Sequence, residues 1–160
     1  MVAAMESGIT VREATSDDAA RISELLIGLA EEFIVGEFSA EGRRHLLSHL
    51  GVAEMAVRLA SEDYRFQVAE RETALIGVVG VRGRTHLQYL FVSKLHQRAG
   101  LARRLWDLAR EQSGNASGRF TVNASSYAVP AYQRLGFASA GGRLEKDGVR
   151  FQPMEWVEGT

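Results

Sequence analysis

The pattern of hydrophobic and polar positions predicts a strand and then helices at the beginning of the chain. Ile9 to Glu13 has the pattern of a short strand. Ser16-Asp17-Asp18 follows as a helix cap, because short polar side chains accept hydrogen bonds from the first N–H groups of a helix. Apolar residues then recur at helical spacing, which predicts a first helix ending near Glu32. Phe33 to Ser39 has no clear period, and a second helical stretch is predicted from Ser39 to about Ala60.

Three strand patterns occupy the middle of the chain, and charged or glycine-containing turns separate them. They cover Tyr64–Glu70, Ala74–Arg82 and Thr85–Val92. Because the turns are short, the three strands are predicted to form an antiparallel meander.

The second half of the chain returns to alternating helices and strands. The predicted elements are a helix from Gly100 to about Ser113, a strand over Phe120–Asn123 and a short helix over Tyr127–Leu135. Pro130 fits that short helix only near its first turn, where a missing N–H costs least. Lys146-Asp147-Gly148 predicts the turn of a terminal hairpin. The whole pattern predicts an α/β fold with a mixed sheet flanked by helices.

Length and composition indicate one globular domain. The chain has 160 residues, of which 46% are hydrophobic and 24% charged, close to the averages of folded proteins. This length supports one domain with a real core. We expect a flexible N-terminus over residues 1–8 and a single domain over residues 9–158.

Charge and cysteine content exclude several classes of function. Nineteen basic and twenty acidic residues leave a formal charge of −1, which supplies no broad field for binding nucleic acid. The chain has no cysteine, which excludes disulfides and thiolate chemistry and favours a cytoplasmic location. No apolar stretch approaches the roughly 20 residues that cross a bilayer, so no membrane association is expected.

The stretch from Val92 to Leu105 joins a strand to a helix through a basic turn of small residues. The first N–H groups of a helix lack partners within the helix and favour anions. Gly100 and Ala102 would let a phosphate approach the main chain, and Arg98 and Arg103 add positive charge. Glycine also precedes many ordinary helices, but the combination of strand, turn and helix favours a pyrophosphate site. Walker and dinucleotide-binding loops have other spacings.

Gln97-Arg98-Ala99-Gly100-Leu101-Ala102, directly after a strand, resembles the acyl-CoA-binding motif of the GNAT N-acetyltransferase superfamily. Ala131 to Phe137 resembles a second signature of the same family. The resemblance covers Ile9 to Val157 and implies a GNAT-like fold whose sheet opens between the Thr85–Val92 and Phe120–Asn123 strands. It also implies acetyl-CoA as co-substrate, no metal, and direct transfer of the acetyl group to a primary amine of a small molecule or peptide.

The same resemblance assigns the residues that bind the co-substrate. Backbone groups of the strand end would receive the thioester carbonyl and the pantetheine amide, and the turn and helix start would hold the pyrophosphate. Those residues are Leu90, Phe91, Val92, Gln97, Arg98, Ala99, Gly100, Leu101, Ala102 and Arg103. Asn123 and Ser125 would border the same cleft, and Ser125 stands where the family often has asparagine.

Tyr132 and His86 are the predicted catalytic residues. Tyr132 aligns with the tyrosine that hydrogen-bonds the sulfur of CoA in many family members; its alternative is simple packing beside Phe137. Full proton transfer from a phenol of pKa about 10 to a thiolate of pKa about 8.5 is uphill by roughly 2 kcal/mol, which favours hydrogen bonding. His86 stands where some members carry a glutamate base, and its alternative is an ordinary strand histidine.

Several alternatives stay open from the sequence. The loop Phe33–Ser39 is interpreted as facing the substrate. Three glutamates of the variable substrate region, Glu31, Glu32 and Glu37, either attract an ammonium group or are merely solvated. His45 and His49 lack a third ligand, which disfavours a metal site. A non-catalytic acyl-CoA sensor, transfer of a longer acyl group, and a homodimer through the terminal hairpin are the remaining alternatives.

Overall fold

The structure, a computed structural model, describes residues 8–159. The predicted flexible segment 1–8 therefore lies outside the described residues except for Gly8. The strands are β1 (Ile9–Glu13), β2 (Tyr64–Arg71), β3 (Ala74–Arg82), β4 (His86–Val92), β5 (Arg119–Ala124), β6 (Ala138–Ser139), β7 (Leu144–Lys146) and β8 (Val149–Val157). The helices are α1 (Ala19–Phe33), α2 (Ala40–His49), α3 (Val52–Ala60), α4 (Leu101–Gln112) and α5 (Val129–Arg134).

The strands form one mixed sheet in the order β1-β2-β3-β4-β5-β8-β6, with β7 paired to the end of β8. The first four strands are antiparallel neighbours, which confirms the predicted meander. β5 lies parallel to β4, and β8 lies antiparallel to β5. The predicted α/β class, a mostly antiparallel sheet flanked by helices, is confirmed.

Each face of the sheet carries its own apolar core. On one face α4 packs against the sheet through Leu101, Leu105 and Trp106, and on the other α1 and α3 pack through residues such as Ile22 and Met55. Side chains of successive strand residues point to opposite faces, so neighbouring valines of β3 belong to different cores. The near-continuous apolar run of β3 is thus that of a strand buried on both faces.

The single helical stretch predicted from Ser39 to Ala60 is wrong, because the chain forms two helices there. α2 ends at His49, and Gly51 takes an extended conformation (φ −66°, ψ 163°) before α3. The break places Leu50 in the core, where the residue is 4% exposed. The Leu50 carbonyl accepts a 2.6 Å hydrogen bond from the Ser23 hydroxyl. Glycine has low helix propensity, and the burial of Leu50 favours the break.

The terminal hairpin is confirmed, and its turn packs against α2. Asp147 and Gly148 both have positive φ (54° and 79°), as a two-residue hairpin turn requires. A side chain on Gly42 would clash with the Gly148 backbone, because an added Cβ would lie 2.0 Å from its carbonyl oxygen. This close approach holds the hairpin beside α2. Dimerisation through the hairpin stays a prediction.

Asp18 anchors the first helix to the sheet through a buried carboxylate. Its side chain is 2% exposed and accepts a pair of hydrogen bonds from Arg12 at 2.8 and 2.9 Å. Arg21 and the backbone N–H of Thr15 donate to the same carboxylate at 2.9 and 2.8 Å. Hydrogen bonds from Arg12 hold the pKa of Asp18 well below its usual range.

We expect Asp18→Asn to lower the free energy of unfolding by about 2 kcal/mol at pH 7, because two guanidinium groups lose their buried partner. Since the folded pKa of Asp18 is depressed, its stabilisation is present above about pH 4 and is lost as the pH falls. Urea denaturation at several pH values measures both effects. The difference between variant and parent should shrink below pH 4, and exposed Asp17→Asn should stay within about 0.5 kcal/mol. An equal loss at every pH would contradict this account.

Candidate functional site

The sheet opens between β4 and β5. The two parallel strands pair only at His86 and Thr121, and the Thr121 N–H donates to the Thr85 carbonyl at 2.9 Å. Beyond that point they diverge, as the resemblance implied. The Ser93 N–H donates to the Ile76 carbonyl of β3. Because the backbone groups of successive residues point to opposite sides of a strand, those of Leu90 and Val92 point toward the opening. A hydrogen-bonding edge of β4 therefore faces a cleft.

A β-bulge interrupts β4 beside this edge. Gly80 pairs with Tyr89 and Val81 with Leu87, which leaves Gln88 as the extra residue. The Gln88 Oε1 atom is buried, and among residues 8–159 no donor reaches it. Gln88 is also one of the residues that line the cleft.

The start of α4 forms the end of the cleft that follows β4. Gly100 caps the helix with φ +85°, and an added Cβ there would meet no atom within 4 Å. The Arg104 N–H donates the first helical hydrogen bond to the Gly100 carbonyl at 3.1 Å, so the N–H groups of Leu101, Ala102 and Arg103 precede the helical ladder. Backbone donors and open space therefore coincide at this point.

Two side chains at this turn and helix start donate hydrogen bonds to backbone carbonyls of the neighbouring elements. The Gln97 Nε2 donates to the Val92 carbonyl at 3.0 Å, and the Tyr127 hydroxyl donates to the Gln97 Oε1 at 3.2 Å. The Arg103 Nη2 donates to the carbonyl of Arg134, the last residue of α5, at 2.6 Å. Gln97, expected to contact phosphate, thus also ties the turn to the strand end.

α5 presents Tyr132 to the cleft from the side of β5. Pro130 lies in the first turn of this helix, as predicted. The Tyr132 ring packs edge-on against Phe137 at 5.4 Å between centroids, yet Tyr132 also lines the cleft. The packing alternative is therefore observed, and the contact with the sulfur of CoA stays a prediction. Burial raises the pKa of Tyr132 above its usual range, so the phenol stays a proton-bearing donor.

Ser125 supports the start of α5. Its hydroxyl accepts from the Ala128 N–H at 3.2 Å, and its carbonyl accepts from the N–H groups of Ala128 and Val129. Both Ser125 and the exposed Asn123 line the cleft. The serine where the family often has asparagine therefore has a structural role in the turn as well.

The structure does not bring His86 into the cleft lining. His86 lies at the closed end of the opening, where its Nδ1 is 2.8 Å from the Thr121 hydroxyl. Burial, with a contribution from nearby Arg82, lowers the pKa of His86 to about 4. The imidazole is therefore neutral at pH 7 but lies at the margin of the predicted site.

One continuous cleft of about 1480 Å³ joins these features. It exceeds the roughly 300–1,000 Å³ of a typical pocket for one small ligand, and so has room for two reactants. Of the predicted binding residues, it is lined by Leu90, Phe91, Val92, Gln97, Arg98, Gly100, Ala102, Arg103, Asn123 and Ser125. Ala99 and Leu101 do not line it, since Leu101 is buried under α4.

The cleft also continues where the sequence indicated no site. Arg58, Tyr64, Arg82 and Tyr89 line this part, together with His45 and His49 of α2. These residues lie far apart in the chain and carry no motif, so only the packing of α2 and α3 on the sheet reveals them. Phe33, the last residue of α1, also lines the cleft, together with Ile34 and Phe38 of the segment that follows.

Two of the candidate glutamates form ion pairs with other side chains. Glu31 pairs with Arg43 at 3.1 Å and Glu32 with Lys94 at 2.6 Å. None of the three candidate glutamates lines the cleft. Within residues 8–159 there is no group of three or more metal-ligating side chains, and no helix there is long and apolar enough to cross a bilayer.

Comparisons with known proteins agree with this architecture. Residues 34–158 match the family model described as an acetyltransferase (GNAT) domain. No curated protein matches the chain significantly.

Solved structures share the fold at low sequence identity. A GCN5-related N-acetyltransferase from Rhodopseudomonas palustris has a TM-score of 0.78 and 18% identity, covering 94% of this chain and 96% of that one. The PaiA N-acetyltransferase from Thermoplasma acidophilum, in complex with coenzyme A, has a TM-score of 0.76 and 17% identity over 93% and 98%. YncA, a putative acetyltransferase from Salmonella typhimurium with acetyl-CoA, has a TM-score of 0.66 and 19% identity over 94% of each chain.

We expect the imidazole of His86 to titrate with a midpoint near pH 4, because burial and Arg82 disfavour its charged form. An NMR titration of the histidine ring protons, assigned with His86→Gln, measures the midpoint. Arg82→Gln should raise it by removing a nearby positive charge. A midpoint at or above the ordinary value of about 6.5 would contradict the described environment.

Proposed function

The chain belongs to the GNAT acetyltransferase family, and on that premise we propose that it binds acetyl-CoA and an amine together and transfers the acetyl group directly to the amine nitrogen. The observation that carries this proposal is the convergence of three features on one cleft. These are the exposed hydrogen-bonding edge of β4, the N-terminus of α4, and the Tyr132 side chain.

The residues present fit acetyl-CoA. The backbone donors at the start of α4 and the Arg98 and Arg103 side chains suit a pyrophosphate. The edge of β4 near Leu90 and Val92 suits the amides of a pantetheine arm, which would complete the hydrogen bonds that β5 does not make. Neighbours solved with coenzyme A and with acetyl-CoA support the same choice.

Acetyl-CoA supplies an activated thioester, and the chain supplies orientation and hydrogen-bond donors. Backbone N–H groups at the bulged part of β4 would polarise the carbonyl on which negative charge develops. The Tyr132 hydroxyl, kept protonated by its raised pKa, would donate a hydrogen bond to the departing sulfur. Because the phenol is a weaker acid than a thiol, stabilisation by this hydrogen bond precedes any proton transfer.

The acceptor amine must be neutral when it attacks. We assign the loss of its proton to water in the open cleft, since His86 lies outside the lining. This assignment does not require a dedicated base. The absence of cysteine from the chain agrees with direct attack on the thioester instead of an acyl-cysteine route.

Gly100→Val tests the pyrophosphate site. A β-branched side chain disfavours the positive φ of Gly100 and would project into the space that the phosphates need. We expect calorimetry to show acetyl-CoA affinity weakened by at least about tenfold, or about 1.4 kcal/mol. The matched control is Gly141→Val, at a glycine that also has positive φ (115°) and open space around it but lies outside the cleft lining. Unchanged affinity in Gly100→Val would remove the site from α4.

Tyr132→Phe tests the proposed chemistry. A hydrogen bond to a charged group contributes about 1.5–3 kcal/mol, so we expect kcat to fall by about ten- to a hundredfold. The dissociation constant of acetyl-CoA should change less than about threefold, because the phenol acts mainly on charge that develops during the reaction. The measurement is CoA release with a panel of amines. Tight acetyl-CoA binding by the parent protein without any amine-dependent release would defeat the enzymatic proposal.

A further inference from the structure

The part of the cleft away from α4 forms a distinct region, here called the acceptor half and defined by Arg58, Tyr64, Arg82, Gln88 and Tyr89. Arg82 pairs with the first residue of β4, whereas the pyrophosphate turn follows the last residue of that strand. Seven strand residues span about 20 Å, so the two ends of the cleft are well separated. Cations in the acceptor half are therefore not needed for the pyrophosphate.

The acceptor half and its borders carry an excess of positive charge. Arg58 and Arg82 line the acceptor half, and Lys146 and Arg150 of the hairpin line the cleft beside it. The carboxylate in this part of the lining is that of Asp147, which lies 3.6 Å from the His45 ring nitrogen. No carboxylate of the lining is therefore placed to neutralise the two arginines.

The two arginines of the acceptor half lack ionic partners within the described residues 8–159. Arg58 donates to the His49 carbonyl and lies 3.6 Å from the Met55 sulfur, both of which are uncharged. No carboxylate lies within ion-pair distance of Arg82 in that part of the chain, while the hairpin's Arg150 is paired with Glu145 at 3.2 Å. Two guanidinium groups thus face the cleft with their charge uncompensated.

An acceptor with a second positive charge would find no counterion within the acceptor half itself, because Asp147, the carboxylate of the cleft lining, belongs to the hairpin beside it. The glutamates near the cleft lie outside its lining, and Glu31 and Glu32 are already paired with Arg43 and Lys94. A polyamine would therefore bring its free ammonium groups toward Arg58 and Arg82. Like charges in a partly enclosed cleft repel, because the low local dielectric screens them weakly.

We infer that the acceptor is a small amine that also carries an anionic group, a carboxylate or a phosphate. This inference rests on the proposed function and names the class of its second substrate. Guanidinium groups match both anions with paired N–H donors. Gln88 lines the cleft beside these guanidinium groups. Gln88 lies two residues along β4 from His86, the partner of Arg82 in the ladder, so one small molecule can reach both groups.

Matched pairs of amines test the inference. The panel contains amino acids with their amides, phosphoethanolamine with ethanolamine, and spermidine. We expect at least one anionic amine to be acetylated with kcat/KM at least about thirtyfold above that of its partner without the anionic group, the effect of a charge-assisted hydrogen bond. Comparison of the carboxylate-containing amines with the phosphate-containing amine identifies which anionic group the site prefers. The inference is overturned if amides, ethanolamine or spermidine are acetylated as well as the anionic amines.

Arg82→Gln links the preference to the acceptor half. We expect it to reduce the ratio of kcat/KM between amines with and without an anionic group by at least about tenfold. The change should lie in KM for the amine, with acetyl-CoA affinity unchanged. Arg65→Gln is the matched control, because Arg65 is exposed, lies outside the lining and neighbours Tyr64 on the opposite face of β2. Thermal melting verifies that both variants fold, and Arg58→Gln provides a second variant. An unchanged ratio in Arg82→Gln and Arg58→Gln overturns the inference.

Failure of the inference differs from failure of the proposed function. Transfer to amines without an anionic group that is as efficient as transfer to the anionic amines refutes only the anionic acceptor, since the enzyme then still acetylates an amine. Absence of transfer to every amine of the panel, with acetyl-CoA bound, refutes the proposed function and the inference with it.

Discussion

The pairing of β4 with β5 at a single position, His86 with Thr121, determines the geometry of the site. β4 pairs with β3 along its length, and β5 pairs in the same way with β8. The sheet is therefore continuous except where β4 and β5 diverge. Trp106 holds β5 and β8 against α4 through edge contacts with Phe120 at 5.0 Å and Trp156 at 5.8 Å. Buried backbone N–H and C=O groups need hydrogen-bond partners. The unpaired edge of β4 therefore needs a bound molecule or water at the opening. The separation of these two strands therefore opens the cleft in an otherwise continuous sheet.

Burial acts on two ionisable side chains near the opening with opposite consequences. It raises the pKa of Tyr132, which keeps the phenol protonated and able to donate. It lowers the pKa of His86 to about 4, which keeps the imidazole neutral. Both residues therefore avoid charge at neutral pH, and the formal charge of the cleft comes mainly from arginines. That charge is divided between the start of α4 and the acceptor half, which suits two anionic groups about a strand length apart.

Much of the fold could be predicted because its signals are local. β1 and β3 have the predicted bounds, and the hairpin turn at Asp147 and Gly148 follows from the conformational preferences of those two residues. The turn before α4 was equally visible, since a glycine with positive φ and a basic helix start are neighbours in the chain. The break between α2 and α3 was missed. It depends on the burial of Leu50 against α1, a contact that periodicity does not encode.

The sequence by itself determined the order of the elements, the glycine-containing turn before α4 and the placement of Tyr132 on a short helix after β5. Each of these depends on residues within a few positions of one another, where backbone preferences and hydrophobic period dominate. Only the tertiary structure decided that Arg58, Arg82 and Gln88 share a cleft while His86 stays at its margin. Those relations arise from strand register, a bulge and helix packing. Such contacts join distant parts of the chain, and no local pattern specifies them.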